Sequence, residues 1–137
     1  MIDTKEPSHP GIFYEEMERA LRENGLLDSA FIIGTPESKS WFKGKARIAV
    51  KRDQLRQAVK NGEAVDKLYF LFEHGNILDE KTVSFAKRVK VPVVASINIY
   101  HYKGDDLPQA KTDIDRLLKF GVVYFQIDSL YDEWLRD

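Results

Sequence analysis

The chain has no cysteine in its 137 residues. That excludes thiol nucleophiles, thiolate zinc sites and disulfide frameworks, and leaves any metal chemistry to oxygen and imidazole ligands. No charge of one sign dominates: 21 Lys and Arg stand against 22 Asp and Glu, a net charge of −1, so neither nucleic acid nor a membrane surface is an expected partner. Long hydrophobic runs are also missing. The longest, Val91 to Ile99, is interrupted by Pro92, Ser96 and Asn98 and falls well short of the ~18 apolar residues of a bilayer span. The first residues, Met1 to Glu6, carry neither the basic nor the apolar region of a signal peptide. The sequence contains no G-x-G-x-x-G and no P-loop pattern, which argues against dinucleotide cofactors and P-loop chemistry. No linker, low-complexity tract or internal repeat divides the chain, so residues 1–137 read as one globular domain with enough length for a core of its own.

What is present is an alternation of short apolar runs with helix-period segments. Ala30 to Ile33, Ala46 to Val50, Leu68 to Phe72, Val91 to Ile97 and Val122 to Ile127 are rich in β-branched and aromatic side chains and read as buried strands. Phe13 to Arg22, Asp53 to Lys60, Asp79 to Val89 and Leu107 to Phe120 repeat apolar residues three and four apart, the spacing of an amphipathic helix. Asn24-Gly25 and Phe120-Gly121 supply helix stops, and Asp79, Thr35, Asp53 and Ser129 are expected caps. Strand followed by helix, repeated, predicts a parallel sheet with right-handed crossovers. Two α/β architectures suit this length: the carboxyl-terminal half of a (β/α)₈ barrel, strands four to eight, or a flavodoxin-like doubly wound sheet. A half-barrel leaves two edge strands and an uncovered lumen. A homodimer, a missing amino-terminal half-barrel, or shielding of the sheet edge by the segment Tyr131 to Leu135 and the early helix is the expected remedy.

Functional groups of a parallel α/β sheet gather at the carboxyl ends of its strands. In this chain those positions hold Gly34 to Ser38, Lys51-Arg52-Asp53, Glu73-His74-Gly75-Asn76, Asn98 with Tyr100 and His101, and Asp128-Ser129. The plain reading of many of them is helix capping and turn formation. His74 and His101 are the loop imidazoles able to hold a ligand or move a proton, although no metal-binding spacing surrounds them. Ile2-Asp3-Thr4-Lys5 sets a carboxylate and an ammonium on one side of an extended segment. Such a pair can hold a divalent cation and a phosphoryl oxygen together. The aromatics Tyr69, Phe70, Phe72, Tyr124 and Phe125 lack interleaved basic residues and are expected to pack in the core rather than stack on bases.

The order of these motifs resembles that of the glycerophosphodiester phosphodiesterases. Ile2-Asp3-Thr4-Lys5 is similar to the family's I-E-x-K strand, and Leu21 to Leu27 leading into Phe31-Ile32-Ile33 is similar to its x-x-G-L helix end and following strand. Val91 to Asn98 resembles its strand ending in W-T-V-N, and Gly121 to Asp128 its closing G-V-D-x-I-x-T-D. The resemblance covers almost the whole chain. It implies a metal-dependent phosphodiester hydrolase in which Asp3 is a metal ligand for Mg²⁺ or Ca²⁺, Lys5 is a catalytic charge-stabilising group, and Asn98 and Asp128 contact a phosphodiester substrate; His74, from its own place at a strand end, is expected to contact the substrate with them. Three positions depart from the family: Asp3 stands for Glu, Ala95 for a substrate-stacking Trp, and Ile127 for Thr. The family's His-Arg-Gly strand, its Glu-x-Asp ligands and its second catalytic His have no counterpart in this chain. The resemblance therefore implies a fragment without diesterase activity of its own. The alternative is a non-enzymatic half-barrel that binds a phosphorylated small molecule or a partner protein.

Overall fold

The computed structural model describes residues 1–6, 9–102 and 107–135. Six strands, β1 (Ile2–Thr4), β2 (Phe31–Gly34), β3 (Arg47–Val50), β4 (Tyr69–His74), β5 (Val93–Ile97) and β6 (Tyr124–Ile127), form one sheet in the order in which they occur along the chain. Every adjacent pair is parallel. A flavodoxin-like sheet would reverse its strand order partway along, so the sequential order excludes it. The sheet curls through 221° into a half-barrel. Shared over five steps, that is about 44° per strand, close to the 45° that eight evenly spaced strands require of a closed ring.

The crossovers are α1 (Gly11–Glu23), α2 (Pro36–Phe42), α3 (Arg52–Lys60), the single turn α4 (Val65–Leu68), α5 (Glu80–Arg88) and α6 (Leu107–Lys119). Their starts and stops follow local chemistry. Thr35 accepts a hydrogen bond from the Ser38 amide at 3.3 Å ahead of Pro36, and Asp79 accepts one from the Thr82 amide at 2.7 Å. Gly25 and Gly121, at φ 66° and 75°, take the left-handed conformation that ends α1 and α6. Pro92 stays outside the β5 ladder, lacking an amide to donate, but its carbonyl accepts from Leu71 at 2.8 Å. Two helical segments exceed the sequence reading. α2 has seven residues and α4 four, too short for a 3.6-residue period to stand out.

The sheet has two buried faces of different character. Ile32, Ile48, Leu71, Val93 and Ala95 meet Leu55, Val83, Ala86, Ile114 and Leu117 of the helices in the main core. On the opposite, concave face Ile33, Ala49, Phe70 and Val94 form a second cluster, with Phe31 and Phe72 packed against it. Phe31 stacks on Phe70 at 4.6 Å and meets the edge of Tyr124 at 5.7 Å. Phe31 lies on β2 and Tyr124 on β6, so their contact spans the interior of the curl and closes its amino-terminal end with aromatic side chains. Below this plug a cavity of about 670 Å³ is lined by residues that include Met1, Arg47, Pro92 and Val123. Central strand β5 is buried throughout, whereas β6 is exposed or half-buried along its length, as an edge strand must be. The carboxyl-terminal 3₁₀ segment (Ser129–Leu135) packs on α6 and the end of β6, with Tyr131 buried and stacked on Trp134 at 5.2 Å.

Candidate functional site

The carboxyl ends of the strands form an open mouth whose side chains alternate, by the two-residue period of a strand, with those of the main core. At the β1 side Asp3 lines a cavity of about 280 Å³ together with Ile33, Lys39, Lys51, Gln54 and Phe72. Lys5 lies 3.9 Å from the Asp3 carboxylate, the same-side placement expected of an extended Asp-x-Lys. Lys39 enters from α2 and Lys51 from the end of β3. Burial first, and the Lys51 charge second, hold the Lys39 ammonium below the ordinary lysine range, against the opposing pull of Asp3. Lys51 makes an ion pair at 3.4 Å with Glu73, which is 9% exposed, and rides 5.4 Å over the Phe72 ring. Glu73 in turn accepts the Arg52 amide at 2.9 Å, so β4 anchors the start of α3 and aims the Lys51 side chain.

The β4 to β6 side of the mouth is built from neutral polar groups and the Asp128 carboxylate. Asn98 is buried and donates from Nδ2 to Ser96 Oγ at 2.9 Å and to Tyr100 Oη at 2.7 Å. Ser96 donates to Gln126 Oε1 at 3.2 Å, across the β5–β6 pairing. Asp128 accepts the Ile99 amide at 2.6 Å, fixing the 3₁₀ turn Ile99–His101 that follows β5. His74 ends β4 opposite Ser96, and its ring centroid is 3.8 Å from that of His101. Neither Nδ1 of His74 nor either ring nitrogen of His101 is open to solvent or reaches a well-formed hydrogen bond.

Burial is the main cause that lowers both imidazoles below the usual histidine value. His74 is lowered further by Lys51, with Glu73 pulling the other way; His101 is lowered further by His74 and Lys51, against a backbone hydrogen bond to Ser96 and the Asp128 charge. The stability consequence follows from the sign. A histidine whose folded pKa is depressed stabilises the fold above pH 6.5 and loses that contribution as pH falls through the folded value. Thermal melts should therefore show a midpoint that declines between pH 7 and pH 5, and a His74→Gln, His101→Gln double variant should flatten the decline.

The residues expected from the sequence divide into two groups. Asn98, Asp128 and His74 gather on the β4 to β6 side, while Asp3 and Lys5 stand on edge strand β1 with two lysines between them and the others. Lys39 and Lys51 escaped the sequence reading as site residues. Lys51 was identifiable as the residue directly after a strand; Lys39 had no such signal, because α2 was not recognised. A hard divalent cation requires several oxygen ligands, and Asp3 brings one carboxylate among ammonium groups. Among the described residues no three His, Asp or Glu side chains come together as a metal-ligand set. The donors among the described residues do not by themselves make a cation site.

Among the described residues no helix is long and apolar enough to cross a membrane. The chain matches no protein-family model, and no curated protein aligns with it significantly.

Proposed function

We propose that this chain is the carboxyl-side portion of a phosphodiester-hydrolase barrel of the glycerophosphodiester phosphodiesterase type, and that by itself it binds phosphorylated small molecules at its mouth without hydrolysing them. The observation that carries the reading is the convergence of Lys39 and Lys51 on one cavity at the carboxyl ends of β1 to β4. Two ammonium groups beside exposed Lys5 suit a phosphoryl group and leave the neutral Asn98 side of the mouth for the esterified portion of a diester. The motif order and the parallel half-barrel support the hydrolase origin. Asp3 would take part in a Mg²⁺ or Ca²⁺ site only in a completed barrel, where further carboxylates join it; a general acid and base for the diester would come from the same missing part.

Calorimetric titration of the chain with inorganic phosphate and with a glycerophosphodiester tests the binding, and Lys51→Met should weaken both by about tenfold or more. Incubation with the diester and Mg²⁺ or Ca²⁺ should yield no product. Brisk turnover would overturn the inactive assignment, and unchanged binding by Lys51→Met would overturn the site. The edges of β1 and β6 support completion by further strands, supplied by a second copy or by the other part of a barrel. Sedimentation of the chain alone distinguishes these, since only the first yields a dimer.

A further inference from the structure

We propose that the His74–His101 pair makes oxyanion binding at the mouth proton-coupled, the pair taking up one proton as the anion docks beside Lys51. The inference rests on the phosphoryl-binding reading above and adds to it the group that senses ligand charge. Its basis is geometric. The two rings come from different elements, the end of β4 and the turn after β5, and are packed at 3.8 Å, with Nδ1 of His74 and both nitrogens of His101 shielded from solvent and only the Ser96 backbone drawing on the His101 ring. Buried polar atoms without partners are costly, and burial disfavours a charge on either ring in the free protein.

The charged groups around the pair are Lys51 from the end of β3, Glu73 from β4 and Asp128 from the end of β6; Tyr100 contributes a ring edge at 4.5 Å from His101. Glu73 is committed to Lys51 and the Arg52 amide, and Asp128 to the Ile99 amide. An arriving dianion changes this balance. It satisfies the Lys51 charge that now disfavours an imidazolium, and it adds negative charge at the half-buried His74. At 3.8 Å two imidazoliums repel strongly, so the pair accepts one proton and not two. The proton taken up lets one ring donate to the other or to the anion.

Sulfate is the suitable probe because it remains a dianion throughout the relevant pH range, so any proton taken up belongs to the protein. Titration of the whole chain with sulfate between pH 5.5 and 8.5 should show affinity falling with rising pH, by up to about tenfold per unit above the histidine range. His74→Gln and His101→Gln should each flatten that dependence. His9→Gln, ahead of α1 where His9 stacks on Phe13, should leave it intact. Circular dichroism confirms that each variant is folded. Sulfate binding that is independent of pH yet lost in Lys51→Met would overturn the proton coupling and leave the binding site standing. A slope that survives both mouth histidine substitutions would overturn it as well. Failure of sulfate and inorganic phosphate to bind at any pH would overturn both the coupling and the site.

Discussion

Phe70→Ala should cost about 3–5 kcal/mol of folding stability, a large share of the ~5–15 kcal/mol of a typical domain. Phe70 is fully buried on the concave face, stacked on Phe31 at 4.6 Å and tilted against Phe72 at 6.2 Å. In a closed barrel that interior is packed from all sides, whereas in this half-barrel a few aromatics must exclude water from the curl. Removing the central one leaves a void lined by Phe31, Phe72 and Ile33 that opens towards the cavity beneath, so relaxation into the space is limited. Phe70→Leu keeps most of the volume and should cost about 1 kcal/mol. Urea denaturation of both variants measures the difference. A loss below 1 kcal/mol for Phe70→Ala would show that the concave face is an open groove and contributes little as a second core.

Gly34→Ala should be nearly as damaging, with roughly 2–5 kcal/mol lost and the loss concentrated at β1. Gly34 ends β2 at φ 115°, a conformation L side chains rarely adopt, and lies directly opposite Thr4 in the β1–β2 register. A Cβ there would sit 2.6 Å from the Thr4 carbonyl oxygen and 2.8 Å from its amide nitrogen. Both are backbone atoms of an edge strand held by β2 alone, so β1 moves away. Because Asp3 and Lys5 travel with β1, the substitution should also remove them from the mouth. Amide hydrogen exchange is the direct check: protection should vanish at β1 and persist in β4 and β5. Retained protection of β1 would mean that the close approach of the two backbones is not required.

Much of this architecture was legible residue by residue. The five apolar runs each contain or overlap a strand, and the parallel order follows from the helices between them. The segment at Asp3 adds the sixth strand, its short Ile2–Thr4 stretch carrying too few apolar residues to register as a buried run by itself. Strand ends shifted where a neighbouring element claimed residues: Leu68 closes α4 rather than opening β4, and Val91 and Pro92 precede β5. Capping by Thr35 and Asp79 was readable because it depends on three adjacent residues, whereas the existence of α2 depended on packing of Ser38 and Phe42 under β2 and β3. The candidate site was less legible for the same reason. Asn98, Asp128 and His74 could be placed at strand ends from order alone. That Asn98 is spent on Ser96 and Tyr100, and Asp128 on a backbone amide, depends on which loops meet.

Local pattern and composition by themselves settled the parallel α/β class and the polar rim at the strand ends, since these depend on periodicity and on short-range chemistry. Sheet order, the degree of curl, the aromatic contact from β2 to β6, the convergence of Lys39 with Lys51 and the meeting of His74 with His101 were decided in three dimensions. Each joins side chains separated by at least a dozen residues, and the strand twist and helix packing that bring them within reach are cooperative properties of the whole sheet.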